Sequence, residues 1–319
     1  MNTETLIEVQ HLSRYYGDYC AVNDISFSVK RGEVLGLLGP NGAGKSTTMQ
    51  IICGVLAPSL GSVSIAGENI SESPQAAKRH LGFLPELPPL YFDLSVDEYL
   101  RYCARLRSVN TKDLSAALAS SKEKCGLNDC GNRLIANLSK GFQQRVGIAQ
   151  AIIHSPDVII LDEPTSGLDP NQIAEIRQLI GELSEDHSIL LSTHILPEVQ
   201  SSCDRVLIIN RGNLVLDENI QSLNSDNQQT SCQISLSRPP LPEELESLEN
   251  VLAVDVLDRQ RFRITYKLNT NTPENLVKAS VDKDWGLYEL LPEDSSLEQV
   301  FMRLTGGEPG AARPEIEPI

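Results

Sequence analysis

The sequence predicts an α/β domain built on a largely parallel sheet, followed by a smaller α+β domain. From residue 7 to about residue 223, short runs rich in Val, Ile and Leu alternate with helical stretches, the pattern of strands joined by helical crossovers. The runs at 34–38, 158–161, 189–191 and 206–209 lack in/out alternation, as expected of strands covered on both faces. A polar stretch at 224–230, NSDNQQT, then breaks the periodicity and reads as a linker. At 319 residues the chain has room for two cores, since a single core stops growing at ~250–300 residues.

The strand at 34–38 leads into a Gly-rich turn and a helix at 46–52. Between about 95 and 136 the texture turns helical, with Leu100, Cys103, Ala104 and Leu106 near helical spacing, so this part reads as a helical insertion in the α/β core. The core strands at 158–161, 189–191 and 206–209 come after it. Beyond the linker the pattern predicts a strand at 232–236, a helix at 242–248, strands at 251–257 and 261–266, a helix at 273–278, a strand at 287–291 and a closing helix at 297–304. Residues 306–319 hold Gly, Pro and Glu with almost no core-forming side chains, and disorder is expected there.

Composition removes several classes. No stretch approaches the ~18 unbroken apolar residues of a membrane helix, and residues 1–10 lack the basic and apolar regions of a secretory signal, so a cytosolic protein is expected. Forty-three acidic against 27 basic residues give a net charge of −16, which repels phosphate backbones and predicts no nucleic-acid partner. Seven cysteines, an odd number spread along the chain, suit reduced thiols. Cys125 and Cys130 lack the second Cys/His pair that a structural zinc site needs.

Gly39, Pro40, Asn41, Gly42, Ala43, Gly44, Lys45 and Ser46 fit GxxxxGK[ST] between a strand and a helix. Small residues let backbone N–H groups turn inward around phosphate oxygens, and the helix N-terminus adds its dipole. Lys45 is expected on the β- and γ-phosphates of ATP, Ser46 on Mg²⁺, and Thr47 on a more distal phosphate. Asp162 and Glu163 end the run at 158–161, at the carboxyl edge of a parallel sheet where ligands bind. Acidic residues often end strands merely because they are solvated there, but beside a phosphate loop they acquire distinct tasks. Asp162 is suited to hold Mg²⁺ through water, and Glu163 to accept a proton from an attacking water. His194 emerges at the same edge, where it can donate to the γ-phosphate and position that water.

These residues resemble the nucleotide-binding subunit of an ABC transporter over roughly residues 5–225. Leu138, Ser139, Lys140, Gly141 and Phe142 are similar to the family's LSGGQ signature and lie just before a predicted helix at 142–153. The resemblance implies the ABC form of the P-loop NTPase fold: a RecA-like core, an antiparallel β edge and a helical insertion at about 88–155, here with a small α+β domain at 231–305. It implies that Tyr16, rather than neighbouring Tyr15, stacks on adenine, and that the 166–169 segment ending in Asp169 is the D-loop at a dimer interface. It also implies that Ser192, Thr193 and His194 form the switch, and that Ser139, Lys140, Gly141 and Phe142 complete the ATP site of a second ATP-binding subunit. Two departures stand out: Glu86 occupies the Q-loop position usually held by Gln, and Lys140 and Phe142 replace a Gly and the final Gln of the signature. Glu86 still offers Mg²⁺ or water an oxygen, so activity with altered coupling is expected.

Those departures, with the tail at 296–306, look like the branch that serves ABC-2-type permeases. The resemblance then implies an ATP-hydrolysing subunit, peripheral on the cytoplasmic face of the membrane, powering a separate integral membrane permease. The competing reading is a soluble ABC ATPase of DNA repair, chromosome organisation or translation. The short interval between phosphate loop and signature, the single cassette and the acidity all weigh against it.

Overall fold

A computed structural model describes residues 4–225, 229–267 and 270–293, with 301 and 304. The chain divides into two compact units, Met1–Ile220 and Gln221–Ile319. In the first, β1 (Thr5–Tyr16) and β2 (Tyr19–Lys30) form an antiparallel hairpin. Next come β3 (Val34–Leu38), α1 (Lys45–Ile52), β4 (Leu60–Ile65) and the short β5 (Glu68–Asn69). After α2 (Pro74–Arg79) and β6 (Leu81–Leu84), the helical segment holds α3 (Val96–Leu106), α4 (Leu114–Lys124) and α5 (Lys140–Ile152). The core resumes with β7 (Val158–Asp162), α6 (Pro170–Ser184), β8 (Ser188–Thr193), α7 (Leu196–Ser202), β9 (Arg205–Asn210) and β10 (Asn213–Asn219).

The main sheet has the order β10-β9-β3-β8-β7-β6, with β10 antiparallel to β9 and every other pairing parallel. β3, β7 and β8 are buried at every position, which is why their sequences carry no alternation. Two apolar clusters cover the sheet, one with Leu191, Ile148 and Ile176, the other with Leu37, Met49 and Ile160. Each fully buried Leu or Ile contributes ~1.5–3 kcal/mol, enough to fix the strand ends in space. Leu38 pairs with Thr193 and Asp162 with Ser192, so the phosphate loop, the two carboxylates and His194 leave the sheet along one edge. A second sheet, β2-β1-β4-β5, is antiparallel throughout.

The α3 helix starts with a capping box in which Ser95 Oγ accepts from the Glu98 N–H and Glu98 Oε2 accepts from the Ser95 N–H at 2.8 Å. Its buried face, Val96, Tyr99, Leu100 and Cys103, has the expected helical spacing.

The second unit follows α8 (Ile220–Ser225) with β11 (Gln229–Leu236), α9 (Pro242–Glu246), β12 (Val251–Val256), β13 (Arg261–Lys267), α10 (Thr272–Asp282) and β14 (Leu287–Glu293). Its antiparallel sheet has the order β12-β13-β11-β14, and Cys232, Ile234, Phe262, Ile264 and Trp285 belong to its core. The expected linker is shorter than its composition suggests. Residues 224–225 close α8, and Gln229 and Thr230 pair with Lys267 and Tyr266, because a neighbouring strand supplies backbone partners that polar side chains alone do not reveal. The helix expected at 273–278 runs on to Asp282. Ser280 anchors that last turn, accepting from the Leu287 N–H through its hydroxyl and from the Trp285 N–H through its carbonyl. The closing helix expected at 297–304 lies mostly outside the described residues, as do residues 306–319.

Candidate nucleotide site

At the carboxyl edge of the main sheet, the loop after β3 turns through Gly42 and Gly44, both with positive φ. A side chain at Gly39 would collide with the Ile209 carbonyl, and one at Gly44 with the Ala21 carbonyl, so both positions exclude any larger residue. Lys45 opens α1 and folds back, its Nζ donating to the carbonyls of Gly39 at 2.8 Å and Pro40 at 3.4 Å. The same ammonium stands 3.5 Å from Glu163 Oε1, with both side chains buried.

Asp162 and Glu163 are neighbours with different environments. Asp162 Oδ1 accepts from Ser46 Oγ at 3.3 Å and from the Ser192 hydroxyl. Burial pushes the Asp162 carboxyl up; the two serine hydroxyls pull against it, and the Glu163 charge adds to the rise. Glu163 takes a left-handed backbone, φ 48°, costly for a residue with a Cβ, and is held there by its N–H, which donates to Ser192 Oγ at 3.0 Å and to the Ser192 carbonyl. Its carboxylate meets His194, whose Nδ1 lies 2.8 Å from Glu163 Oε2. An ionised carboxylate only accepts, so Nδ1 carries the proton and Nε2 of the neutral ring is an acceptor. While that bond holds, donation from Nε2 to a phosphate requires the imidazolium.

A cleft of 590 Å³ opens over these groups, lined by residues 41–47 of the phosphate loop with Tyr16, Tyr19, Glu86, Glu163, Ser166 and His194. Tyr16 is 47% exposed, with the Arg14 guanidinium 4.8 Å from its ring centroid, while Tyr15 does not line the cleft. Tyr19 and Ser192 were not singled out for these contacts from the sequence. A tyrosine at a strand start and a serine inside an apolar run carry no local signal of their role.

Ser46, Asp162 and Glu86 offer only oxygen donors. Among the described residues no group of three or more His, Cys, Asp and Glu gathers into a metal cage. A few oxygens without a closed cage suit Mg²⁺, which keeps several waters and takes further ligands from substrate phosphates.

The signature residues do not line this cleft in the same chain. Ser139 is the N-cap of α5, accepting from the Phe142 N–H at 3.4 Å, so the helix begins at Lys140 and not at the expected 142. Gly141 is buried close to the Gln172 side chain, and the Lys140 ammonium lies against Gly167 of the 166–169 loop. Asp169 caps α6, accepting from the Gln172 N–H at 2.9 Å.

A parallel sheet that ends in a phosphate loop, an acidic pair and a histidine on one edge defines a nucleotide-binding cassette of the P-loop class. Residues 22–166 match the ABC transporter family. The chain is 32% identical over 307 residues to the Nod factor export ATP-binding protein I of Rhizobium meliloti, covering 95% of this chain and 88% of that protein. It is 37% identical over 213 residues to the probable multidrug ABC transporter ATP-binding protein YbhF of Escherichia coli; this covers 66% of this chain but only 37% of YbhF, so the match spans little more than a third of that relative. Among solved structures it is similar to CbiO1 of Clostridium perfringens, part of the ABC transporter complex cbiONQ, with a TM-score of 0.64 and 28% identity over 70% of this chain and 92% of that one. The chain belongs to the ATP-binding proteins of ABC transporters.

Proposed function

We propose that this chain binds Mg-ATP, hydrolyses it, and powers a separate integral membrane permease of the export type. The observation that carries the reading is the alignment of three groups, Lys45 3.5 Å from Glu163 and Glu163 2.8 Å from His194, in one cleft with the phosphate loop. Lys45 exchanges its loop carbonyls for β- and γ-phosphate oxygens, and the backbone N–H groups of residues 41–47 surround them. Glu163 accepts the proton of the attacking water, and His194 holds the carboxylate in place. Ser46 and Asp162, with Glu86 of the cleft lining, are the residues that would hold Mg²⁺. Held there, Mg²⁺ would supply positive charge to offset the charge that develops on the phosphates.

The cleft lacks any contribution from Ser139, Lys140, Gly141 and Phe142 of its own chain. Their place in the mechanism is on the nucleotide of a second ATP-binding subunit, with Asp169 at the interface between the two. The names of the relatives, a Nod factor export protein and a multidrug transporter component, favour export. Membership among ABC transporter ATP-binding proteins supports a separate integral membrane permease that holds the chain at the cytoplasmic face of the membrane; among the described residues no helix is long and apolar enough to cross a bilayer. The domain after residue 225 serves regulation or assembly, and no nucleotide motif falls in it.

The test is ATP turnover by the purified chain, with and without the membrane protein that co-purifies with it. Turnover that rises on reconstitution with that protein supports the reading. A chain that binds ATP but stays inert in both conditions rejects it.

A further inference from the structure

A buried carboxylate behind the cleft fastens two of its loops to one side chain. Glu198, 1% exposed, lies in the first turn of α7 and does not line the cleft. Its Oε1 accepts from Thr165 Oγ1 at 2.6 Å, and its Oε2 from Thr193 Oγ1 at 2.8 Å. Thr165 follows Glu163 by two residues on the loop leaving β7; Thr193 ends β8 and directly precedes His194. Thr193 Oγ1 also accepts from the Ile195 N–H at 3.0 Å, so His194 is pinned on both flanks. Arg177 of α6, the helix that Asp169 caps, brings Nη2 to 3.7 Å from Glu198 Oε1.

A carboxylate this buried is costly unless both oxygens are satisfied, so its geometry is strongly constrained by its two hydroxyl partners and the guanidinium. The groups it constrains lie on either side of the Glu163–His194 hydrogen bond, including a Glu163 backbone held in the left-handed region. Misplacing a reacting group by ~1 Å can cost on the order of a hundredfold in rate, so such a brace bears on chemistry without touching the nucleotide.

We propose that Glu198 is a positioning residue of the hydrolytic site, a clamp that keeps the Glu163 loop and the His194 loop in register. The inference rests on the ATPase reading above and adds to it a residue outside the cleft.

The experiment uses the full chain and compares wild type, Lys45→Ala, Glu198→Gln, Glu198→Asp, Thr165→Val, His194→Ala and the Glu198→Gln/His194→Ala pair. Each is measured for thermal unfolding, fluorescent-nucleotide affinity and steady-state turnover. Glu198→Gln keeps the shape but removes the charge facing Arg177 and one acceptor. Its kcat is expected to fall on the order of tenfold or more, with nucleotide Kd and KM within about twofold of wild type. Glu198→Asp, which keeps the charge, recovers part of the loss. The pair is expected to cost less than the product of its single effects, because both changes disable the same positioned histidine. If Glu198→Gln does not fold, Thr165→Val, which removes one arm of the clamp, is read by the same criteria.

Normal kcat in a folded Glu198→Gln chain, a rise in Kd parallel to the fall in kcat, or effects that multiply in the pair would each overturn the clamp. When Lys45→Ala is inactive but Glu198→Gln is normal, the clamp alone fails. When Lys45→Ala turns over ATP as fast as wild type, the ATPase reading fails and the clamp falls with it.

Discussion

β3, β7 and β8 of the main sheet are buried at every position, whereas β13 of the C-terminal sheet is buried at alternate positions. The first arrangement leaves polar residues the strand ends and the segments that follow them, and there Asp162 and Glu163 after β7, Lys45 at the start of α1 and Glu198 in α7 are all buried and partnered. The second disperses its polar residues along a solvated face. The buried polar residues of that unit, among those described, are Ser231, Ser235, Thr272 and Ser280, hydroxyls without charge. Two-sided burial thus concentrates charge in a low-dielectric edge where electrostatic effects on a ligand are strong, and one-sided burial does not.

The widest break in this contrast comes from Lys45→Ala. Removing the ammonium beside the phosphates is expected to abolish measurable hydrolysis and weaken ATP binding on the order of a hundredfold, read by fluorescent-nucleotide titration. Glu163→Gln separates binding from chemistry: turnover falls by about 10²–10⁴ while Mg-ATP stays bound. Sedimentation with Mg-ATP should then show this variant accumulating as a dimer, and adding Ser139→Ala to the same chain should weaken that dimer. A Glu163→Gln chain that stays monomeric at high concentration, with no ATP-dependent closure of its complex with the permease, contradicts the shared site.

The difference in packing predicts unequal stability effects. Leu191→Ala, at a position 2% exposed in β8, is expected to cost about 2–5 kcal/mol by denaturant titration. Val256→Ala, at a position 57% exposed on edge strand β12, should stay within about 0.5 kcal/mol.

His154 follows α5, its Nε2 3.1 Å from the Leu81 carbonyl and its Nδ1 buried without a partner. Burial, reinforced by the Arg107 charge, lowers its pKa to about 4. The folded value lies below the unfolded one of about 6.5, so the folded state disfavours the proton. The stability gained from this neutral histidine is full above pH 6.5 and is lost as pH falls towards 4. His154→Gln should flatten the melting temperature across that window, by no more than a few kcal/mol in the underlying stability. The smallest expected effect is a null one: a soluble, folded chain ending at residue 225 keeps wild-type ATP affinity, since the nucleotide-cleft residues all precede that point. Weakened binding by such a chain would assign the second unit a part in the site.

The phosphate loop, the acidic pair and His194 were legible in the sequence because each is written in contiguous residues next to an apolar run. A strand buried on both faces announces itself, and the residues just beyond its last position lie at the carboxyl edge. The same held for the helical segment, where Leu100, Cys103 and Ala104 lie on the buried face of α3, although Leu106, read into the same pattern, is exposed at the end of the helix. The polar 224–230 stretch misled at its ends because backbone pairing between Gln229 and Lys267 joins residues far apart in sequence.

By itself the sequence determined the core strands at 34–38, 158–161, 189–191 and 206–209 and which residues just beyond them reach the edge of the main sheet, since hydrophobic period and the glycines of the phosphate loop are local properties. Only the tertiary structure decided which of those residues meet. The left-handed turn of Glu163, the hydrogen bonds by which Ser192 holds Asp162 and Glu163, the place of Tyr19 beside Tyr16 at the cleft, and the bonds of Glu198 to Thr165 and Thr193 depend on neighbouring strands placed in register by burial. No local pattern of residues encodes a contact that exists only once two distant segments lie side by side.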